Sequence, residues 1–426
     1  MKRITQLAII VVIVMAMTTC AFGAGLALGG SGHLFEPGVI RAADEPAQFD
    51  VFWQAWNLIQ NRFVDRSSLD TTQLVYGAIR GMVDATGDEG HTAFLPPEEV
   101  EIQRSGMAGK FSGIGAQLGV KDSLPIIVAP FDGSPAAEAG VKAGDIIIDV
   151  DGEDVTTLPL NEIVDRIRGE AGTKVVLTVL RPDDNKSLEI PIVRGEITVP
   201  AASWAMVPDT SVALIRLSQF SANAKDDLVK AVTEAKADGA TGLIVDLRSN
   251  PGGLLEQAIS VTSQFLKDGN VLQQEDAEGN RQAYPVESGG VATDLPIVVL
   301  INRGTASSSE IFAGAIQDHK RGPVVGETTF GTGTVLEPFP LDDGSLLMLG
   351  TSQWLTADGR LIRKHGIEPD VEVKLPIGTD LVTPQKLKDL SATELKDSED
   401  AQFLKALNLL ETSPAVDKMS TEPVVN

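Results

Sequence analysis

Three short segments of the chain combine a serine with glycine-rich turns, a pattern that fits nucleophilic catalysis. Residues 304–310 read Gly-Thr-Ala-Ser-Ser-Ser-Glu, residues 247–253 read Leu-Arg-Ser-Asn-Pro-Gly-Gly, and residues 330–335 read Phe-Gly-Thr-Gly-Thr-Val. A serine hydroxyl is a poor nucleophile until a neighbouring base accepts its proton. Ser307 stands just before a predicted helix, whose first N–H groups can stabilise an oxyanion. The pattern therefore predicts that Ser307 is a nucleophile.

The three segments, in this order and at this spacing, resemble the active site of the carboxy-terminal processing (tail-specific) serine proteases. That family uses a Ser-Lys dyad, in which burial lowers the pKa of the lysine so that the neutral amine can act as the base. The resemblance implies that Ser307 is the nucleophile. It also implies an oxyanion hole formed by backbone N–H groups of Ser308 and of the Asn-Pro-Gly-Gly turn, at Gly252 or Gly253.

Two positions depart from the family pattern. Thr332 occupies the position of the family's lysine, and Leu336 occupies the position of a glutamine four residues further on. A threonine hydroxyl cannot serve as a general base at neutral pH. By residue type, the candidates for a substitute base are His319, Lys320, Lys364 and His365. Two functions stay open: an active serine endopeptidase with a divergent base, or a catalytically impaired module that binds C-terminal peptides or assembles with an active paralogue.

Residues 107–195 alternate short strands and glycine turns in a pattern that resembles a PDZ domain. The resemblance is strongest at residues 133–136, Gly-Ser-Pro-Ala, and at residues 139–145, Ala-Gly-Val-Lys-Ala-Gly-Asp. Glycines let backbone N–H groups converge on a terminal carboxylate, and a strand edge can pair with the peptide. The resemblance implies that C-terminal tails of proteins bind at Gly113, Ile114, Gly115, Ala116 and Leu118. The alternative is a PDZ fold that binds no peptide.

A helical region is predicted over residues 46–106. Its aromatic residues recur at helical spacing and are expected to pack in a core: Phe49, Phe52, Trp53, Trp56 and Phe63. Asp70 is expected to cap a second helix. Residues 87–95 are predicted to form a loop that is similar to the family's Asp-x-His-Ser segment. Its His91 could touch the site, although a structural role is favoured for it.

The remainder of the chain fits an α/β fold class. Strands and helices alternate over residues 196–375, which predicts βαβ units with catalytic groups at the carboxyl ends of strands. Residues 376–411 have a helical pattern, and residues 412–426 are predicted to be disordered. The expected architecture is multidomain α+β: a helical N-region, a PDZ-like β domain, a ClpP/crotonase-like α/β protease core as the resemblance implies, and a helical C-region.

The N-terminus carries an export signal. Lys2 and Arg3 precede an apolar run from Leu7 to about Leu28. About 20 apolar residues span a bilayer as a helix, and the preceding positive charge places the N-terminus in the cytoplasm. Residues 1–28 are predicted to be a signal anchor, with a cleaved signal peptide as the alternative, and residues 29–45 a linker. We expect an exported, membrane-anchored protein whose body lies on the periplasmic or extracellular side.

The composition excludes several classes of partner. A formal net charge of −24 at pH 7 argues against nucleic acid. The single cysteine, Cys20, rules out an internal disulfide bond. With four histidines and no Cys-x-x-Cys spacing, the sequence predicts neither a metal nor another cofactor. Assembly as a homo-oligomer or with a paralogue stays possible.

Overall fold

The computed structural model describes residues 48–412, with gaps at residues 89–90, 122, 132 and 183–185. The predicted anchor or signal peptide, the linker and the C-terminal tail from residue 413 onward lie outside the described residues. Within the described part of the chain, no helix is long and apolar enough to cross a membrane. The chain divides into two units, residues 1–74 and residues 75–426.

The first unit contains helix α1 (Phe49–Arg62) and a 3₁₀ turn (Arg66–Ser68). The aromatic side chains of α1 contact one another, with the ring of Phe52 centred 5.1 Å from that of Trp53. They are not buried, however: Phe52 is 38% exposed and Trp53 46% exposed. The prediction that this aromatic stripe packs in a core is therefore wrong for the residues described here. Helical spacing identifies an apolar face but not what covers it.

Helix α2 (Thr71–Asp84) begins where its cap was predicted. The Oδ1 atom of Asp70 accepts hydrogen bonds from the N–H groups of Thr72 at 2.7 Å and Gln73 at 3.2 Å. An acidic side chain at this position satisfies N–H groups that have no partner inside the helix. The predicted second helix is confirmed, together with its start.

The small β domain has a core of its own. Its strands are β2 (Lys110–Gly113), β3 (Ala116–Lys121), β4 (Leu124–Pro130), β5 (Ile146–Val150), β6 (Glu153–Asp154), β7 (Lys174–Arg181), β8 (Lys186–Val193) and β9 (Gly195–Thr198). Its helices are α4 (Pro135–Glu138) and α5 (Leu160–Ile167), and α3 (Pro97–Met107) precedes it. Alternate residues of β7, namely Val175, Leu177 and Val179, are buried against α5. This period of two defines the inner face of the sheet.

The order of strands in this domain places β3 and β8 at the two edges of the sheet. The sheet runs β3-β4-β5-β7-β8, with β6 beside β5, and β2 pairs with β9 where the chain enters and leaves the domain. Among the described residues, β3 therefore has a strand on one side only. Helix α5 packs against β3 and β5.

The larger α/β region is built on a mostly parallel sheet of order β10-β11-β12-β15-β16-β19. The strands are β10 (Ala202–Met206), β11 (Val212–Leu217), β12 (Gly242–Asp246), β15 (Ile297–Ile301), β16 (Val324–Gly326) and β19 (Val371–Glu372). Helices α6 (Ala224–Ala237), α7 (Leu255–Thr262) and α8 (Ser308–Asp318) pack on one face of it. Because β12 and β15 are buried throughout, both faces must be covered, as is usual for parallel sheets.

The other face is covered by the C-terminal helices α9 (Pro384–Leu387), α10 (Ala392–Lys396) and α11 (Ala401–Glu411). The helical C-region thus begins at Pro384 rather than at residue 376. A second, antiparallel sheet has the order β1-β18-β13-β14, with β17 beside β18. Its strands are β1 (Ala93–Leu95), β13 (Asn270–Asp276), β14 (Arg281–Pro285), β17 (Thr334–Pro340) and β18 (Leu346–Thr356).

One predicted loop contains a strand. Ala93, Phe94 and Leu95 form β1, which pairs with Met348, Leu347 and Leu346 of β18. Such a short strand carries too little alternation to be recognised in sequence, and its partner is far away in the chain. The mixed α/β fold class itself is confirmed.

Three neighbouring parallel strands bring the candidate site loops together. The Asn-Pro-Gly-Gly turn follows β12, the Ser307 loop follows β15, and the Phe330-Gly segment follows β16. Since β12 pairs with β15 and β15 with β16, all in parallel, their carboxyl ends lie along one edge of the sheet. This edge is where α/β sheets carry their binding and catalytic groups.

Candidate active site

Ser307 lies in a strained turn between β15 and α8. Its backbone has φ 55° and ψ −120°, a conformation that non-glycine residues rarely adopt. The residue is half-buried, and it caps the N-terminus of α8. A sharp strand-to-helix turn of this kind presents a nucleophilic hydroxyl at the end of a sheet.

A buried carboxylate fixes this turn to the segment that follows β16. Oε2 of Glu310 accepts hydrogen bonds from the N–H groups of Ser307 and Thr332, both at 2.8 Å. Its Oε1 accepts from the N–H of Gly331 at 2.7 Å and from the hydroxyl of Thr329. Burial raises the pKa of Glu310, and these hydrogen bonds oppose that rise. All four groups that contact the Glu310 carboxylate are hydrogen-bond donors, and they therefore match its ionised form.

Glu310 was not among the predicted site residues. The signal was present, since a serine followed three residues later by glutamate at a predicted helix start is a capping-box pattern. The pattern does not reveal that the same carboxylate also accepts hydrogen bonds from Gly331 and Thr332. The N–H groups of Gly331 and Thr332 come from a different strand end.

The Asn250 side chain holds the glycine turn beside Ser307. Its Oδ1 accepts from the N–H of Gly252 at 2.9 Å, and its Nδ2 donates to the carbonyl of Leu217 at 2.8 Å. The carbonyl of Asn250 accepts from the N–H of Ala306 at 3.0 Å. The turn is therefore tied both to β11 and to the serine loop.

Both glycines of this turn are required by close contacts. Gly252 has φ 94°, and a Cβ there would lie 2.7 Å from the Cβ of Ser307. Gly253 has φ 148°, and a Cβ there would lie 2.3 Å from the carbonyl oxygen of Phe220. Any larger residue would displace the turn or the serine, which is the physical reason for glycine at both positions.

The structure distinguishes among the three predicted oxyanion donors. The N–H of Gly252 is already engaged by Asn250, whereas the N–H groups of Gly253 and Ser308 find no acceptor among the described residues. These two residues are adjacent in space, since the hydroxyl of Ser308 donates to the carbonyl of Gly253 at 2.9 Å. Two free N–H groups beside a strained serine are the elements of an oxyanion hole.

Thr332 and Leu336, which are predicted to occupy the family's lysine and glutamine positions, carry no base. Thr332 is half-buried, and its N–H donates to Glu310. Leu336 lies in β17, where the pairing with β18 shifts register between Val335 and Leu336. Neither side chain can accept a proton at neutral pH.

Two of the proposed substitute bases are too far from Ser307. Helix α8 begins directly after Ser307, and His319 and Lys320 follow its last residue, Asp318. At about 1.5 Å per residue, the helix separates them from its start by about 16 Å. His319 is moreover engaged elsewhere, with its Nε2 2.8 Å from the carbonyl oxygen of Asn270. The hypothesis that either residue serves as the base is wrong.

The other two, Lys364 and His365, approach the site from one side. Both are exposed, and the N–H of Lys364 donates to the carbonyl of Gly331 at 2.9 Å. A Cβ on Gly333 would lie 2.1 Å from the backbone N of Arg363. The turn that carries Lys364 therefore packs on the side of the 331–333 segment toward which Gly331 and Gly333 face.

His91 lies against the same segment. Its Nδ1 is 3.3 Å from Oδ1 of Asp88 and 3.4 Å from the hydroxyl of Thr334. Its ring is centred 6.2 Å from that of Phe330, edge to face. Its Nε2 is buried and has no hydrogen-bond partner among the described residues. A buried nitrogen without a partner is uncommon and calls for an explanation.

Asp88 is ionised beside His91. Burial alone would raise the pKa of Asp88, but hydrogen bonds from Thr92, Arg363 and His91 lower it to about 2. Nη2 of Arg363 donates to Oδ1 of Asp88 at 2.6 Å, and the hydroxyl of Thr92 donates to Oδ2 at 2.8 Å.

The predicted carboxylate-binding loop precedes β3. Gly113 ends β2, opposite Gly195. Gly115 has φ 73°, and a Cβ there would lie 2.5 Å from the Cβ of Ser134. The carbonyls of Ile114 and Gly115 turn into the domain and accept backbone N–H groups at 2.8 Å each. In a trans peptide the N–H points away from the carbonyl, so the N–H groups of Gly115 and Ala116 point outward.

A cavity of about 600 Å³ lies between helix α3, strand β2 and the α/β core. Phe111 and Ser112 line it from β2, and Arg168 lines it at the end of α5. On the core side it is lined by residues 218, 219 and 221, which flank Phe220. Phe220 itself is buried and pairs with Gly253. Leu118, the last predicted peptide contact, is half-buried against the core of the β domain.

No candidate metal site is present in the part of the chain that the structure describes. No group of three or more His, Cys, Asp or Glu side chains is arranged there to hold an ion.

Comparison with known proteins assigns both domains. The profile of Peptidase family S41 matches residues 211–373, and that of the PDZ domain matches residues 126–181. The chain is 37% identical over 377 residues to the carboxy-terminal processing protease CtpA of Bacillus subtilis (strain 168), covering 88% of this chain and 78% of that protein.

Two further relatives bear similar names. A carboxy-terminal-processing protease of Bartonella bacilliformis is 38% identical, covering 78% of this chain and 75% of its own length. A carboxyl-terminal-processing protease of Synechocystis sp. is 36% identical, covering 86% and 84%. The alternative of a catalytically impaired binding module has no support from these similarities. Sequence, fold and relatives agree that the chain belongs to Peptidase family S41, as a serine peptidase of the carboxy-terminal processing type with a PDZ domain.

Proposed function

We propose that the protein holds the C-terminal tail of a protein substrate on its PDZ domain and cleaves a peptide bond nearby with Ser307. One observation carries the catalytic part of this proposal: the strained Ser307 turn stands beside two unengaged N–H groups, those of Gly253 and Ser308. As Ser307 Oγ attacks a peptide carbonyl, negative charge develops on the carbonyl oxygen. These N–H groups are positioned to stabilise that charge.

The PDZ domain supports the binding part. The outward N–H groups of Gly115 and Ala116 can receive a terminal carboxylate, and the free edge of β3 can pair with the preceding residues of the tail. A tail anchored by its end would present an upstream bond to Ser307.

Cleavage of a fluorogenic substrate with an unstructured C-terminal tail tests this function. We expect cleavage by the wild-type protein and its loss in Ser307→Ala. An otherwise identical substrate with an amidated C-terminus should be cleaved with a higher KM, because the terminal charge is missing. Retention of cleavage in Ser307→Ala would refute the assigned nucleophile, and equal KM values for both substrates would refute the carboxylate-reading loop.

For the location, we propose an exported protein tethered by residues 7–28, on the basis of the apolar run after Lys2 and Arg3. Protease added to spheroplasts should then degrade the body of the protein. Protection until the membrane is lysed would contradict this location. Self-association and assembly with a paralogue stay predictions, which light scattering and co-purification would test.

A further inference from the structure

His91 combines burial with an unsatisfied nitrogen. It is 6% exposed, and its Nε2 has no hydrogen-bond partner among the described residues. Leaving a polar nitrogen buried and unpaired destabilises the folded state. An unpaired nitrogen that later binds a proton or a substrate group would account for this cost.

The neighbours of His91 determine which ring nitrogen carries the proton. An ionised carboxylate can only accept hydrogen bonds, so the contact of Asp88 with Nδ1 requires a proton on Nδ1. In the neutral ring, Nε2 is then left with a free lone pair. This pairing of carboxylate and imidazole is the arrangement that orients a histidine base toward a serine nucleophile.

The backbone places His91 on the correct face of the 331–334 segment. The N–H of Trp354 donates to the carbonyl of Gly333, so the pairing with β18 starts one residue before β17 begins at Thr334. In an extended chain alternate residues share a face. Thr332 and Thr334 therefore share one face, and Thr334 contacts His91 from it.

Lys364 is on the opposite face. Gly331 and Gly333 point toward the turn at residues 363–366, so Thr332 points away from it. By the family resemblance, the missing lysine would project from position 332 toward Ser307. The N–H groups of Thr332 and Ser307 are also both 2.8 Å from one oxygen of Glu310. His91 is thus a basic residue on the same face as Thr332.

We propose that His91, oriented by Asp88, is the general base for Ser307 in this chain, with the contact between Nε2 and Oγ forming when the substrate binds. This inference rests on the proposed role of Ser307. As Oγ bonds to the substrate carbonyl carbon, its proton moves to Nε2 and the C=O electron pair moves to oxygen. When the C–N bond breaks, Nε2 returns the proton to the departing amine. Water then attacks the acyl-enzyme in the same way, and Oγ regains its proton.

The rate at which a fluorophosphonate probe labels Ser307 in the full-length protein tests the proposal without knowledge of the substrate. We expect His91→Ala and His91→Gln to lower this rate by about 10⁴-fold, and Asp88→Asn to lower it by about 10³-fold. Added imidazole should restore part of the rate in His91→Ala but not in His91→Gln, where the side chain fills the space. Lys320→Ala, at the far end of α8, is the matched control and should label at the wild-type rate.

Thermal unfolding and binding of a free-acid C-terminal peptide establish that each variant is folded. A folded His91 variant that labels at the wild-type rate overturns the proposal, as does loss of labelling in Lys364→Ala without loss in His91→Ala. If instead the wild-type protein cleaves its substrate and Ser307→Ala cleaves it equally well, the proposed nucleophile fails rather than its base.

Discussion

At the scale of single residues, Thr332 offers no proton acceptor to the Ser307 site. The glycine turn and the Glu310 carboxylate hold Ser307 in a strained backbone conformation. Its hydroxyl lies beside two N–H groups that have no acceptor among the described residues. Oxyanion stabilisation and substrate binding alone retain part of the catalysis when a base is absent. A base on the Thr332 face supplies the remainder, and His91 is placed there.

His91 and a lysine introduced at position 332 should be interchangeable as the base. In the His91→Ala background, Thr332→Lys combined with Leu336→Gln should raise cleavage by about 10²-fold, because an amine enters from the same face. The amine must be buried enough to stay partly neutral. Steady-state cleavage is the measurement, with Thr332→Met and Leu336→Gln in the same background as the control. Adding Ser307→Ala must remove the gain; if it does not, the new activity does not arise at this site.

Asp88 should make stability depend on pH in the acid range. Its pKa is lowered from 3.8 to about 2, so its stabilising contribution is present above about pH 4 and is lost as pH falls through 2. A shift of this size corresponds to about 2 kcal/mol. Urea unfolding at pH 5 and near pH 2 should show the wild-type advantage over Asp88→Asn shrinking by about this amount. A constant difference at both pH values would show that Asp88 is not held in its charged form.

At the scale of elements, a buried ion network joins helix α11 to the strand that carries the oxyanion turn. Arg248 follows β12 and is fully buried. Its Nη1 donates to Oδ1 of Asp400 at 2.8 Å, and its Nη2 donates to Oδ2 of Asp246 at 2.9 Å. Asp400 also caps α11 by accepting from the N–H of Phe403 at 3.1 Å. The C-terminal helix and the site loop thus share one buried guanidinium.

Removal of Asp400 should therefore be costly. Asp400→Ala leaves the buried charge of Arg248 partly uncompensated, and we expect about 3–5 kcal/mol of destabilisation. The exposed neighbour Glu399 provides the control, and Glu399→Ala should change the free energy of unfolding by no more than about 0.5 kcal/mol. Chemical denaturation measures both. Equal effects of the two substitutions would show that the network contributes little to stability.

At the scale of the whole molecule, the PDZ domain and the α/β core have separate hydrophobic interiors. Residues such as Ile127, Val175 and Leu177 belong to one cluster, and none of them is shared with the clusters on either face of the parallel sheet. The pairing of β2 with β9 closes the domain where the chain enters and leaves it. Such a domain has the means to fold alone.

The segment 107–199 should accordingly fold as an isolated fragment. We expect a single cooperative unfolding transition and tighter binding of a free-acid peptide than of its amidated form, as the outward N–H groups of the loop require. Gly115→Val, which would clash with Ser134, is the matched variant that should lose binding. A fragment that unfolds without cooperativity would show that the core is needed to hold the domain.

Local patterns in the sequence predicted much of this protein. The second helix and its cap at Asp70 depend on residues close together in the chain. The three motifs around Ser307 are likewise short. Their order sufficed to predict the family, and the family comparison confirmed it.

Contacts between distant segments decided the remainder. Whether Gly252 or Gly253 keeps a free N–H depends on Asn250, and the exclusion of His319 depends on the length and direction of α8. The aromatic stripe of α1 has the period of a buried face yet is exposed, because a pattern does not specify a partner. Nε2 of His91 has no partner among the described residues because of burial, and strand pairing determines which face of the 331–334 segment His91 contacts. These arise only when residues far apart in the sequence are brought together, so no local pattern could reveal them.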